Sequence, residues 1–414
     1  MDLGRSESYY PRPTVDAREP DEKVDLAALL AELDEALHAH GARVRPPAKQ
    51  EAIAAAERQL GCSFPAMLRE LYSWHDGGTG VLPGYDWLSL AELVDEFNGL
   101  RQLEREVQAP PGDLLPVAYL PIFRFDAQQH VSIDCSGETG ALYYSFFQNP
   151  GPTPEYRGLG HLLTVTADGY RQDAFKNRGS YFDIDEARLY ELRRQRAAPG
   201  ELDRMEANWR GLGPLLETAR GEYFKLAVTW IDHVPDRRAV PILLLRLGDM
   251  DPVIVAYAAS ALGRLRAPEA IGPLTAILSH DHGMVRNFAA LALSKMERMP
   301  KATVLELIKR LDDADDLAAI SAIEALGEAK APEAVQPMIE RLPSVRPGLQ
   351  QSIVSALGEI GDARALPSLR VLLSTVATQD MSIPDRGGTR SSDPTPLRLR
   401  STVEEAIETI EQGR

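Results

Sequence analysis

The chain has 414 residues, 44% hydrophobic and 26% charged, with 61 Asp+Glu against 45 Lys+Arg and a formal net charge of -16. That length supports two or three domains with sizeable cores, and the composition excludes wholesale disorder. A generally acidic chain does not track a phosphate backbone without a local basic stripe, so no nucleic-acid partner is expected.

Residues 1–24 contain Pro11, Pro13 and Pro20 without periodicity and read as a flexible tail. MDLGRSESYYPRPTVD lacks the apolar stretch of a secretory signal, and no run approaches the ~18 apolar residues of a membrane span, so a cytoplasmic location is expected. Asp25 then caps a helix carrying Leu26, Leu29, Leu30, Leu33 and Leu37 on one face, with Gly41 as its stop. A second helix runs from about Lys49 to Leu60 and stops at Gly61, its apolar face being Ile53, Ala56 and Leu60. Pro65 opens a third, PAMLRELYSWHD, which packs Met67, Leu68, Leu71 and Trp74 and ends at Gly77-Gly78-Thr79-Gly80. Ser89, with Glu92 three residues on, caps a fourth from about Leu90 to Gln108.

Strand signals follow. LLPVAYLPIFRF carries two prolines suited to an edge or a bulge. HVSIDC alternates Val131, Ile133 and Cys135 with His130, Ser132 and Asp134, and SGETG joins it to the aromatic run ALYYSFF as a hairpin. A helix from about Leu162 to Lys176 closes the unit, and 181–200 reads as a linker.

The run Pro47–Gly80 (PAKQEAIAAAERQLGCSFPAMLRELYSWHDGGTG), followed by WLSLAEL and IDCSGETGALYYSF, resembles the SMI1/KNR4 (SUKH) superfamily over about residues 26–180. Where members carry Asp-Gly or Gly-Asn before the VSIDC strand, this chain has DAQQH, which implies a differently shaped turn. The resemblance implies an α+β binding domain, a sheet with packed helices over 25–180. In bacteria such domains typically act as immunity proteins against polymorphic or contact-dependent toxins, many of them nucleases; fungal members regulate cell-wall synthesis through protein contacts. No catalytic set comes with the family.

From residue 201 the pattern becomes helical and repeats. Ala261-Leu262-Gly263, Ala292-Leu293-Ser294, Ala325-Leu326-Gly327 and Ala356-Leu357-Gly358 recur in equivalent settings, each within a two-helix unit. Ile231 marks a divergent first unit, and Pro268, Pro332 and Pro367 fall in or just after the turns between units. ATQDMSIPDRGGTRSSDPTPLRLR (377–400) reads as a mobile loop inserted in the last repeat. The ALGxL…APEA…P pattern is similar to HEAT-like repeats of the phycobilisome-lyase type, which implies an all-α solenoid over 201–414. Such arrays mostly present a surface to a partner, although they also include bilin lyases and some DNA glycosylases.

The candidate site residues lie in the first half, which holds 31 Asp+Glu against 20 Lys+Arg. Tyr85 and Asp86 follow a glycine-rich stretch, an aromatic beside a carboxylate that suits an interface anchor, while Trp87 suits the core. Asp95, Glu96, Glu104 and Glu106 make the fourth helix acidic, either a solvated face or a carboxylate surface for Arg and Lys of a basic toxin. His75-Asp76 has acid/base composition but more simply ends a helix beside Gly77. His280-Asp281-His282 lacks a third metal ligand, and DDADD (312–316) reads as an exposed turn. Cys62 and Cys135 form no CxxC pair and have no His-Asp context; they read as reduced thiols of a reducing compartment. The expectation is therefore a non-enzymatic protein-binding protein with no cofactor, metal or membrane partner. The alternatives are a regulatory scaffold or a HEAT-repeat enzyme.

Overall fold

A computed structural model describes residues 23–108, 112, 116–126, 129–136, 140–146, 153–178, 182–231, 234–381 and 395–412. These fall into two compact units, one within Met1–Leu212 and Trp230–Asp236, the other within Gly213–Thr229 and Arg237–Arg414.

The first unit begins with α1 (Leu26–Ala39), α2 (Gln50–Leu60) and α3 (Ala66–Trp74), placed as the caps and periodicity predict. Asp25 accepts from the Ala28 amide at 3.2 Å, and Gly61 closes α2 in the left-handed conformation at φ 70°. Next come β1 (Gly78–Thr79), β2 (Asp86–Trp87) and α4 (Leu90–Glu106), the helix starting in a Ser89/Glu92 capping box. Strands β3 (Tyr119–Asp126), β4 (Gln129–Asp134), β5 (Leu142–Phe146) and β6 (Thr153–Tyr156) complete a six-stranded antiparallel sheet in sequential order β1 to β6. The proline-bearing β3 lies between β2 and β4, and its register with β4 shifts between Pro121 and Phe123; the missing amide is accommodated at a bulge.

Helix α5 (Leu159–Arg171) ends five residues before the expected Lys176. Asp173 turns the chain at φ 53°, and β7 (Phe175–Asn177) pairs antiparallel with β8 (Phe182–Ile184). The stretch read as linker is ordered structure from 182 to 196. After β8 comes α6 (Glu186–Arg196), capped by Asp185 and burying Ala187, Tyr190 and Leu192. The core gathers Leu33, Leu37, Leu68, Leu71, Tyr72, Trp87, Leu93, Phe123, Ile133 and Leu162, each at most 1% exposed. Tyr72 donates to the Leu88 carbonyl at 3.0 Å and Tyr170 to that of Gly80 at 2.9 Å, tying α3 and α5 to the strand-bearing segment.

Helix α7 (Pro199–Thr218) spans the unit boundary and carries Pro214 just beyond it. It is followed by α8 (Gly221–Trp230). Five helix pairs then repeat: α9 (Ala239–Arg246) with α10 (Pro252–Arg264), α11 (Ile271–Ile277) with α12 (Gly283–Ser294), α13 (Lys301–Lys309) with α14 (Asp316–Glu328), α15 (Val335–Arg341) with α16 (Pro347–Ile360), and α17 (Leu366–Met381) with α18 (Thr395–Gln412). Successive second helices pack on one another, α10 on α12 and so on to α18. Leu262, Leu293, Leu326 and Leu357 are all fully buried, as the repeat requires. At the motif glycines these helices approach closely: a Cβ on Gly263 would lie 2.6 Å from Ala292 Cα, and one on Gly327 3.0 Å from Ala356 Cα. Pro268 and Pro332 each open a short 3-10 turn between units. Of the segment expected to be a mobile loop, 377–381 and 395–400 are helical while 382–394 lies outside the described residues, as do residues 1–22 of the expected tail.

Candidate interaction surfaces

The Trp74–Gly78 run is a structural junction. His75 Nδ1 lies 2.8 Å from the Arg45 carbonyl oxygen and Nε2 2.9 Å from Asp34 Oδ1 on α1. Asp76 accepts from the Leu90 amide at 2.8 Å, adding a second anchor at the start of α4. Gly77, at φ 87°, brings the backbone so close to β2 that a Cβ would stand 2.6 Å from the Ser89 nitrogen. The His-Asp pair thus ties the end of α3 to α1 and to the start of α4.

Beside this junction lies a cleft of about 270 Å³ lined by Arg43, Arg45, Asp86, Glu92 and Arg124 among others. Its charges are largely neutralised in place. Arg45 grips Glu92 with two hydrogen bonds of 2.5 and 2.8 Å, and that guanidinium, with the Ser89 donors, holds the Glu92 carboxyl down to about 2. Tyr85 packs against Phe125, ring centroids 5.5 Å apart, and Phe125 is 57% exposed. Asp86 is exposed on β2, while Trp87 is buried in the core.

Helix α4 divides its carboxylates. Asp95 and Glu106 face solvent, Glu106 accepting from Gln102 at 2.8 Å. Glu96 lies between His130 at 3.0 Å and Arg124 at 2.9 Å, and the His130 hydrogen bond is the leading reason its carboxyl sits below the usual range. Glu104 is 3% exposed, bound by Arg101 at 2.9 Å and by the Gly112 amide at 3.0 Å. The expectation of four carboxylates offered to a partner therefore fails at Glu96 and Glu104. Glu96 is engaged by strand residues that the fold brings to it, and Glu104 by Arg101 one turn earlier on the same helix together with the Gly112 amide from beyond the helix end.

In the repeat unit, DDADD is a connector rather than an idle turn. Arg286 from α12 binds Asp313 at 2.6 and 2.8 Å, Arg341 binds Asp312, Arg346 binds Asp316, and Asp315 caps α14. In the preceding turn the His282 amide donates to His280 Nδ1 at 3.0 Å, and Arg286 caps the His280 and Asp281 carbonyls. Among the described residues no group of three or more His, Cys, Asp or Glu is placed to hold a metal ion.

A second concavity was not singled out from sequence. A groove of about 500 Å³ crosses α12, α14, α16 and α18, lined by Glu324, Glu328, Glu359 and Glu405 with Lys295 at one side. Burial and the neighbouring Glu328 together push the Glu324 carboxyl above its ordinary range, while Lys295 pulls the other way. Lys295, Glu328 and Glu359 recur about one repeat apart, and stacking of the second helices aligns them. No helix among the described residues is long and apolar enough to cross a membrane.

Comparison with known proteins matches these two units. The SMI1 / KNR4 family (SUKH-1) model fits residues 47–163, and the HEAT repeats model fits 240–306 and 304–379. An uncharacterized phycocyanin operon protein Z of Pseudanabaena tenuis (strain PCC 7409) is 28% identical over 149 residues, covering 34% of this chain and 73% of that protein. Among solved structures, an engineered protein covers 49% of this chain and 96% of its own at 21% identity, TM-score 0.35. Human deoxyhypusine hydroxylase in complex with glycerol covers 54% and 89% at 16% identity, TM-score 0.23. The chain is an SMI1/KNR4 (SUKH-1) domain fused to C-terminal HEAT repeats.

Proposed function

We propose that this chain is a non-catalytic protein-binding protein whose HEAT repeats hold a basic segment of a protein partner. Both of its modules are typically protein-interaction modules. The observation that supports the site is the α12–α18 groove, where four glutamates face one lysine across successive repeats. Such a field attracts Lys and Arg side chains and raises their association rate at low salt, and it repels a phosphate backbone. In the finer reading the partner is a polymorphic or contact-dependent toxin, a basic nuclease, and the chain is its cytoplasmic immunity protein in a bacterium. The SUKH domain supports that reading through what its bacterial members typically do.

The test uses the full chain and a panel of purified basic nuclease-toxin domains. Expected is salt-sensitive binding to one of them with loss of its nuclease activity, weakened at least tenfold by the double variant Glu324→Lys, Glu359→Lys. Failure to bind any member overturns the immunity reading, and binding unchanged by the charge reversal overturns the groove as its site. The phycocyanin operon relative supports a second reading, a scaffold or bilin lyase acting on a phycobiliprotein. Retention of a phycocyanin subunit by the same bait, with no toxin retained, would favour it.

A further inference from the structure

Cys62 and Cys135 are the two cysteines of the chain, far apart in sequence and separated by α3, α4 and strands β1 to β4. The fold brings them together. Cys62 follows the left-handed Gly61, and its amide donates to the Glu57 carbonyl at 3.2 Å. Cys135 directly follows β4, and its amide donates to the Ala118 carbonyl at 2.9 Å. The α2–α3 corner packs on Gly140, just before β5: a Cβ there would lie 3.6 Å from Pro65. There the two thiols are neighbours, neither in a disulfide, both half-buried and both set against the same apolar core.

We propose that Cys62 and Cys135 form a redox-modification site, at which a low-molecular-weight disulfide such as oxidised glutathione converts the pair into an intramolecular disulfide. Two thiols held side by side by separately anchored backbones have a high effective concentration toward each other, which favours closure over mixed-disulfide accumulation. The two sulfurs have different roles. The Cys135 hydrogen bond holds the Cys62 thiol below the ordinary range, against the opposing effect of burial, while the neighbouring Cys62 sulfur and burial push Cys135 up. Cys62 is therefore the attacking thiolate. It displaces one glutathione thiolate and forms a mixed disulfide at its own Sγ. Cys135 then gives its proton to solvent and attacks Cys62 Sγ, expelling the second glutathione thiolate. Two thiols are oxidised, one glutathione disulfide is reduced to two thiols, and no other oxidant is needed. The bond ties the α2–α3 corner to the end of β4 and closes a loop of roughly 70 residues, which should raise the unfolding temperature of the SUKH unit by roughly 5–10 °C.

The experiment equilibrates the full native chain in mixtures of oxidised and reduced glutathione, blocks remaining thiols with a maleimide and measures intact mass. Expected is concerted loss of both thiols without retained glutathione, reversal by reduced glutathione, and the upward thermal shift. Cys135→Ser should stop at one glutathione on Cys62, while Cys62→Ser should react at least ~10-fold more slowly. The proposal is overturned if both thiols of the native wild-type chain remain alkylatable under oxidising glutathione, or if the only disulfide joins two chains. The assignment of roles is overturned if Cys62→Ser takes up glutathione as fast as Cys135→Ser. Because the wild-type result stands without either variant, a variant that fails to fold leaves the test decisive.

Discussion

Replacing Gly263 by alanine tests whether the repeat glycines exist for helix contact. Gly263 lies in the last turn of α10 with ordinary helical φ, so alanine meets no backbone penalty and gains about 0.8–1.0 kcal/mol of helix propensity. Against that, the new Cβ would lie 2.6 Å from Ala292 Cα and 2.8 Å from its Cβ, where ordinary contact begins near 3.4 Å. The obstacle is the backbone of α12, which yields only if the helix moves. Overpacking of this kind costs roughly 1–3 kcal/mol, and so close an approach to backbone belongs at the upper end, leaving a net loss of about 1–2 kcal/mol. Gly272 in α11 is the control: nothing lies within 4 Å of its Cβ position, so Gly272→Ala should be neutral or gain up to ~1 kcal/mol. With two units in the chain, a single denaturation midpoint does not isolate the effect. Hydrogen exchange on peptides from α10 and α12 does, and a loss of ~1.4 kcal/mol reads as roughly tenfold faster exchange there. The reasoning is refuted if Gly263→Ala protects those amides as well as the parent chain does, or if Gly272→Ala loosens them equally.

Three further outcomes follow from the electrostatics. Glu92→Gln should lower the thermal stability of the SUKH unit by about 1 kcal/mol at neutral pH, through the capping box and the Arg45 pair. Because the Glu92 carboxyl is depressed in the fold from 4.5 to about 2, that advantage is present above about 4.5 and is lost as pH falls toward 2; a pH-independent gap in a melting series contradicts it. Asp313→Ala should cost about 3–5 kcal/mol locally, since it leaves the Arg286 guanidinium, only 13% exposed, without its carboxylate; hydrogen exchange across α12 and α14 that matches the parent chain would rule this out. His161 is fully buried, and burial, reinforced by Arg157, Arg193 and Arg196, lowers its imidazole to about 3. It binds protons less readily in the fold than when unfolded, so its contribution to stability is intact above ~6.5 and is lost as pH falls through that window toward 3. Its ring resonances should not titrate between pH 8 and 4, and a midpoint near 6.5 would refute that.

Much of the first unit was legible because local signals agree with the fold. Asp25, Gly61 and the Ser89/Glu92 box each mark a helix end where the structure has one. The signals failed where structure depends on distant pairing. YRQDAFKNRGSYFDID alternates only over the short FDID stretch, yet Phe175 pairs with Ile184 and Lys176 with Asp183. The charged α6 resembled a linker because its buried face is only Ala187, Tyr190 and Leu192, while Arg196 reaches Asp168 on α5 at 2.8 Å.

For the candidate surfaces the division is sharper. Residue pattern alone placed Trp87 inward and Asp86 toward the surface, while Tyr85, expected to be exposed, is half-buried against the core and Phe125. It could not place Glu96 or Glu104, since His130, Arg124 and the Gly112 amide reach them only after the chain folds back. The same holds for the α12–α18 groove and for the meeting of Cys62 with Cys135. Sequence alone determined the two modules, the repeat register and the limits of α1 to α4 to within a residue or two, all products of short-range periodicity and capping. Tertiary structure alone decided how Glu96 is paired, which thiols meet and which carboxylates line the α12–α18 groove, because those are set by side chains that approach from distant parts of the chain.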